Sequence, residues 1–137
     1  MGNHDYGDYK QWETYAAKSA NNKALMDFQH KIGWKLLRNQ SEMLRRGNDS
    51  VAIIGVENWE EAPFPKYGDL RKSYRELNDK VFKILLSHNP NHWDCEVVNK
   101  TNIDLMLAGH THAMQMEFGL FGKEYSPSSL RYKEWGG

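Results

Sequence analysis

The chain has 137 residues, which is enough for one domain of ordinary size. Its 18 basic and 18 acidic residues balance, so no overall positive field marks it as a binder of nucleic acid or anionic lipid, and any recognition of phosphate must be local. Cys95 is the single cysteine, which excludes a disulfide within the chain, and no apolar run is long enough to span a bilayer.

The first part of the chain predicts a loop followed by a helix. Residues 7–19 mix aromatic and charged side chains without a period, which is typical of an irregular loop. Asn21 or Asn22 is a candidate N-cap, because its side-chain oxygen can accept a hydrogen bond from the first helical turn. Apolar residues at helical spacing follow and a glycine ends the segment; these are Leu25, Phe28, Ile32 and Gly33.

A β-hairpin is predicted next. Residues 34–38 and 41–44 fit either a continued helix or strands, and we favour a pair of strands. The run Arg46-Gly47-Asn48-Asp49 is a dense turn signal, and a β-branched run follows it at 51–56. Together these features indicate two antiparallel strands joined by a tight turn.

The rest of the chain predicts a unit of two strands flanking a helix. A loop, a short helix from Asp69 or Lys72, a strand, a second helix and two further strands are predicted at 63–65, 69–77, 81–86, 92–98, 103–108 and 114–118. The strands at 81–86 and 103–108 are largely apolar, as buried strands are. In such folds ligands bind beyond the carboxyl ends of the strands, where histidines follow both of them.

Three of these histidines are candidate metal ligands. His88 follows the first of these strands, and His110 and His112 follow the second. Imidazole nitrogen suits Zn, Fe, Mn and similar cations. A lone histidine on a loop is more often a surface or hydrogen-bonding residue, and that interpretation is kept for His30 and His92.

Three short motifs in the right order resemble the calcineurin-like metallophosphoesterase superfamily. They are Gly2-Asn3-His4-Asp5, then His88 in Leu85-Leu86-Ser87-His88-Asn89-Pro90, then Gly109-His110-Thr111-His112. Residues 53–58 and 126–137 further resemble its bacterial, often membrane-associated, branch. The resemblance implies an α/β fold, the four-layer α-β-β-α sandwich of that family, here incomplete at both ends. It also implies a hydrolase that acts on phosphomonoesters or phosphodiesters.

The resemblance assigns a role to each matching residue. The metal ligands would be Asn3, His88 and His110 for one ion and His112 for another. His4 would stabilise the transition state or protonate the leaving oxygen, and Asp5 would orient His4 through a carboxylate–imidazole hydrogen bond. In the intact parent, two divalent ions (Mn, Fe or Zn) with a bridging hydroxide would carry out the displacement at phosphorus.

Two earlier motifs of the family, Asp-x-His and Gly-Asp, should precede Gly2, and no segment of the chain replaces them in that order. We therefore expect residues 1–137 to form a partial phosphoesterase domain, which lacks the N-terminal metal-binding motifs and the last strands of a longer parent chain. Such a piece is expected to bind one divalent ion at most, and to have little hydrolase activity of its own.

Other interpretations remain open on the sequence alone. The alternative is a non-catalytic metal- or phosphate-binding module of the same fold, and a third is a structural domain whose histidines are incidental. The phosphoester substrate is not identified, no nucleic-acid-binding patch is evident, and the location of the parent is left open between cytoplasm and membrane. Aromatic residues of two loops either line a substrate rim or pack the loops, and packing is favoured; these are Tyr6, Tyr9, Trp12, Trp59 and Phe64.

Overall fold

A computed structural model describes residues 1–112, 118–121 and 123–126. A 3₁₀ turn, a long helix, a hairpin, a short helix, a strand, a π-helical turn and three more strands follow one another. Their bounds are Asn3–Tyr6 for the 3₁₀ turn, Tyr15–Lys31 for α1, Gln40–Arg46 for β1, Asp49–Gly55 for β2, Leu70–Tyr74 for α2, Phe82–Leu86 for β3, Trp93–Val97 for the π-helical turn, Leu105–Leu107 for β4, Phe118–Leu120 for β5 and Lys123–Tyr125 for β6.

A mixed four-stranded sheet in the order β1-β2-β3-β4 is the centre of the described fold. The hairpin predicted around Gly47 is confirmed, with Arg46 paired to Asp49 and β1 antiparallel to β2. Strands β2, β3 and β4 run parallel, so the predicted unit of β3, a helical turn and β4 is also confirmed. Strands β5 and β6 form a separate antiparallel pair.

The core lies against one face of this sheet. Ile54 of β2 is in register with Leu85 of β3, and Leu85 with Met106 of β4, which gives a continuous apolar row across three strands. Ile54 and Leu85 are fully buried, and this burial is the main stabilising contribution of the sheet. Leu70 of α2 and Val97 of the π-helical turn complete this core, together with Val56 and Ile103 from the loops beside the strands.

The opposite face of the sheet carries large apolar side chains that remain exposed in the described residues; these are Leu44, Phe82, Leu86, Leu105 and Leu107. The chain is therefore α/β as predicted, with a mixed sheet covered on one face. The four-layer sandwich would need a second sheet on the open face, and it stays a prediction.

The region of α1 differs from the prediction. The helix begins at Tyr15 rather than near Asn21, because the Thr14 side chain accepts a hydrogen bond from the amide of Ala17 at 3.1 Å and caps the first turn. The predicted apolar face is not buried, since 57% of Phe28 and 45% of Ile32 are exposed. Residues 34–38 are also not a strand, and β1 begins only at 40. The predicted strand at 114–118 lies outside the described residues up to 117.

Candidate metal centre

Two parallel strands bring the histidine loops together. Strands β3 and β4 end at the same edge of the sheet, and His88 and His110 follow them. The Ser87 amide donates to the Leu107 carbonyl at 3.1 Å, and the Gly109 amide donates to the His88 carbonyl at the same distance. The sheet ladder thus extends into the loops and fixes both backbones beside each other.

The N-terminal 3₁₀ turn reaches the same edge. Tyr6 anchors it, being 4% exposed and stacked on Tyr67 with ring centroids 3.9 Å apart. Its hydroxyl also accepts a hydrogen bond from the Asn58 amide at 3.2 Å. With the turn held in this way, Oδ1 of Asn3 lies 3.1 Å from Nε2 of His88. Residues separated by 85 positions in the sequence therefore face each other.

His110 completes this group. Its ring meets that of His88 edge to face, with centroids 4.9 Å apart and an interplanar angle of 80°. His110 and His112 both have positive φ angles, 74° and 54°, a backbone conformation that residues other than glycine rarely adopt. Strained backbone of this kind is concentrated at functional sites. The structure thus brings together Asn3, His88 and His110, the three ligands predicted for one ion.

The electrostatics of His88 suit a metal ligand. Burial, and then the neighbouring charge of His110, lower the pKa of His88 from its usual 6.5 to about 4. The ring is therefore neutral at pH 7, and one of its nitrogens carries a free lone pair. A neutral imidazole is the form that binds a divalent cation.

His112 and the predicted catalytic pair are placed differently. His112 is exposed, and in the described residues its side chain makes no hydrogen bond or ring contact with the other three predicted ligands. His4 is exposed and stacks on Tyr9 with ring centroids 4.6 Å apart. The carboxylate of Asp5 accepts the Gly2 amide at 2.8 Å. The predicted hydrogen bond from the His4 imidazole to the Asp5 carboxylate is not present in the described part of the chain, because this carboxylate closes the 3₁₀ turn instead.

The three converging side chains form an incomplete donor set for a metal ion. Within residues 1–112 and the two described stretches after them, no group of three or more His, Cys, Asp or Glu side chains could hold a metal ion. The group described above contains two such side chains, His88 and His110, and its third member, Asn3, supplies an amide oxygen instead. Their chemistry nevertheless suits Mn, Fe or Zn, which accept mixed nitrogen and oxygen ligands.

Buried polar residues lie next to the predicted ligands. His92, interpreted as a surface or hydrogen-bonding residue, is fully buried; its Nδ1 lies 2.9 Å from Oγ of Ser87, and its ring stacks on Trp59. Glu60 is only 7% exposed, and its carboxylate accepts a hydrogen bond from the side-chain Nδ2 of Asn89 at 3.0 Å. Trp59 packs its loop, as favoured, rather than lining a rim.

A second buried side chain holds the loop that carries Glu60. Asn39, 8% exposed and with φ of 51°, accepts the amides of Glu57 and Asp69 through its Oδ1, each at 3.0 Å. Its Nδ2 donates to Glu57 and to the Tyr67 carbonyl. No signal in the sequence singled out Asn39, since an isolated asparagine before a strand is common.

Comparison with known proteins places these motifs in a family. The model of the calcineurin-like phosphoesterase family matches residues 1–114. An uncharacterized protein, YpbG, of Bacillus subtilis is 29% identical over 88% of this chain and 40% of its own length. The UDP-2,3-diacylglucosamine pyrophosphatase LpxG of Chlamydia muridarum is 30% identical over 69% of this chain and 26% of its own length.

A third relative is a transmembrane protein with metallophosphoesterase domain of Danio rerio, 27% identical over 84% of this chain and 25% of its own length. The chain thus spans less than half of each of these relatives. No helix among the described residues has the length and apolar character needed to cross a bilayer. No solved structure matches the chain. With a family model that covers most of the sequence, the chain belongs to the calcineurin-like phosphoesterase family.

Proposed function

We propose that the chain is part of the catalytic domain of a metal-dependent phosphoester hydrolase, and that it provides one of two metal sites together with the group that assists the leaving oxygen. The observation that carries this proposal is the convergence of Asn3, His88 and His110 from three separate segments at one edge of the sheet. The family membership supports hydrolysis of a phosphoester.

In this proposal each side chain has a defined task. The Asn3 oxygen and nitrogens of His88 and His110 bind one ion, and His112 contributes to a second ion whose other ligands would come from the parent chain. Divalent ions at such a site would neutralise charge on the phosphoryl oxygens and acidify a water molecule. His4 stands on the exposed side of the 3₁₀ turn, where it can donate a proton to the leaving oxygen.

The position of His4 is supported by its neighbours. Tyr9 stacks on the His4 ring, and the Tyr9 hydroxyl accepts a hydrogen bond from Nδ2 of Asn3 at 3.0 Å. Because Nδ2 is engaged in this way, Oδ1 of Asn3 is directed to His88 and is available to a cation. One tyrosine thus orients both the proposed general acid and a proposed ligand. Asp5 acts through the turn, since its carboxylate holds the Gly2 amide.

Titration calorimetry with Zn²⁺ or Mn²⁺ tests the metal part of the proposal. The 137-residue chain should bind one equivalent at most, and His110→Ala should abolish that binding. His30→Ala is the matched control, since His30 is exposed on α1. Unchanged binding in the His110 variant would support incidental histidines and contradict the proposal.

Hydrolysis of a generic phosphodiester and of a generic phosphomonoester tests the catalytic part. The chain alone should be nearly inactive, whereas a longer parent chain with Asp-x-His and Gly-Asp motifs should be active, and His4→Ala in that parent should lower kcat. Tight binding of two equivalents with turnover by the chain alone would overturn the half-site proposal. An inactive parent that still binds metal would favour the non-catalytic module.

A further inference from the structure

Glu60 places a buried carboxylate behind the proposed ligands. It lies in the loop after β2 and is only 7% exposed. Its Oε2 accepts a hydrogen bond from Nδ2 of Asn89, the residue that directly follows His88. Glu60 is therefore tied to the loop that carries one ligand of the centre.

The second oxygen of this carboxylate is directed to the other histidine loop. Oε1 of Glu60 is buried and accepts no hydrogen bond from any described residue. It lies 3.9 Å from Nε2 of His110, a distance typical of an ion pair but too long for a hydrogen bond. A buried carboxylate oxygen without a donor is unfavourable, so a small rotation of the His110 ring that closes this gap lowers the free energy of the site.

A histidine that binds a metal through one ring nitrogen usually donates the N–H of the other to a carboxylate or carbonyl. That hydrogen bond fixes the tautomer and the ring orientation, and it makes the ligand more basic. Because Nε2 of His110 faces Glu60, the same pattern would have His110 bind an ion through Nδ1.

We propose that Glu60 is a positioning residue of the metal centre, whose carboxylate accepts the Nε2–H of His110 and so presents Nδ1 to the ion. The inference rests on the proposed function, because it needs His110 to be a ligand. It adds a residue that none of the family motifs contains. Glu60 also links the two histidine loops, since one of its oxygens accepts a hydrogen bond from Asn89 and the other lies near Nε2 of His110.

The variant that tests this role is Glu60→Gln, which keeps the size of the side chain. Nδ2 of Asn89 still needs an acceptor, so the amide oxygen of the replacement side chain must take the place of Oε2. The new NH₂ group then faces the Nε2–H of His110, and two donors oppose each other. We expect the affinity for Zn²⁺ to fall by about 10- to 100-fold in calorimetry. Glu61→Gln is the matched control, because Glu61 is the adjacent carboxylate and is exposed; its affinity should equal that of the unmodified chain.

A second measurement needs no variant. In the Zn²⁺-loaded, ¹⁵N-histidine-labelled chain, the His110 ring should show a metal-bound Nδ1 and a protonated, slowly exchanging Nε2. A ring bound through Nε2 with its proton on Nδ1 would overturn the proposal, even if Glu60→Gln failed to fold. A purely structural role for Glu60 would change the unfolding midpoint but leave this pattern and the Zn²⁺ affinity unchanged.

The two proposals fail in different ways. If His110→Ala abolishes Zn²⁺ binding and Glu60→Gln does not weaken it, the role of Glu60 is overturned and the metal site stands. If neither the unmodified chain nor any variant binds Zn²⁺, the metal site is contradicted and the inference about Glu60 falls with it.

Discussion

Gly2 lies directly against the imidazole of His88: a β-carbon at Gly2 would stand 2.8 Å from Cε1 and 2.9 Å from both ring nitrogens. Any side chain there must displace the His88 ring from Asn3. We therefore expect Gly2→Ala to weaken Zn²⁺ binding by about 10-fold or more, as the loss of ligand orientation does in metal sites. Calorimetric titration of the variant measures this change.

Gly109→Ala is the matched control for Gly2→Ala. A β-carbon at Gly109 meets no described atom within 4 Å, although this glycine directly precedes the proposed ligand His110. The affinity of the Gly109→Ala variant for Zn²⁺ should stay close to that of the unmodified chain. If Gly2→Ala and Gly109→Ala lost the same amount of Zn²⁺ affinity, the glycines would act through the backbone rather than through contact with His88.

Tyr9 is expected to affect metal binding through its hydroxyl. Tyr9→Phe keeps the ring that stacks on His4 but removes the acceptor for Nδ2 of Asn3. The Asn3 amide then loses its fixed orientation, and the Zn²⁺ affinity should fall by about 2- to 10-fold, the effect of roughly one partly exposed hydrogen bond. In an active parent, Tyr9→Ala should lower kcat further than Tyr9→Phe, since it also removes the support of His4. An identical affinity for Tyr9→Phe and the unmodified chain would contradict this role.

Asn39→Ala should be among the most destabilising substitutions in the chain. It removes both acceptor contacts to the Glu57 and Asp69 amides and both donor contacts, and it leaves a residue without a polar side chain at φ of 51°. The free energy of unfolding should fall by about 2–4 kcal/mol, measured by urea denaturation. Asn39→Asp retains the oxygen that accepts the two amides, but its second oxygen faces the Glu57 carboxylate and the Tyr67 carbonyl, so this variant should also be destabilised. Unfolding free energies of both variants equal to that of the unmodified chain would show that the network contributes little.

The stability of the chain should fall as the solution is acidified, in part through His92. Burial lowers the pKa of the His92 imidazole, which also faces the Glu96 carboxylate and the Lys66 ammonium. Since the unfolded state then binds the proton more tightly, the stabilising contribution is complete above the unfolded pKa of 6.5 and is lost as the pH falls towards the folded pKa.

Urea denaturation between about pH 7.5 and pH 5 measures this dependence. His92→Gln keeps a polar partner for Ser87 but cannot titrate, so its unfolding free energy should change less with pH than that of the unmodified chain. A parallel pH dependence in the two proteins would assign the acid sensitivity to other groups, such as His88.

The sequence predicted the parts of the fold that depend on local pattern. The turn at Gly47 and the apolar strands around Ile54 and Leu85 were identified because turn chemistry and burial leave a short-range signal. Helix α1 was placed too late, since its cap at Thr14 lies in a stretch without apolar period. The apolar spacing of Leu25, Phe28 and Ile32 indicates the later turns of this helix but gives no signal for its first turns.

The sequence also predicted only part of the candidate site. Asn3, His88 and His110 were identified through short motifs that carry recognisable chemistry, and the structure brings them together. Glu60 was not identified, because its importance comes from burial beside residues distant in sequence. His92 was interpreted as a surface or hydrogen-bonding residue, and its contact with Ser87 agrees with the second alternative, although its full burial was not predicted. The hydrogen bond predicted between the His4 imidazole and the Asp5 carboxylate was implied by the family resemblance, whereas in the 3₁₀ turn this carboxylate accepts the amide of Gly2.

The contact between Asn3 and His88 spans 85 positions of sequence. An ion held by both would act as a removable cross-link between the beginning of the chain and the parallel strands. Unfolding would then have to release the ion, so resistance to proteolysis and heat should rise with the free metal concentration. In a cell short of the metal, newly made chains would open more often and be cleared sooner, and the amount of protein would follow the supply of its own cofactor.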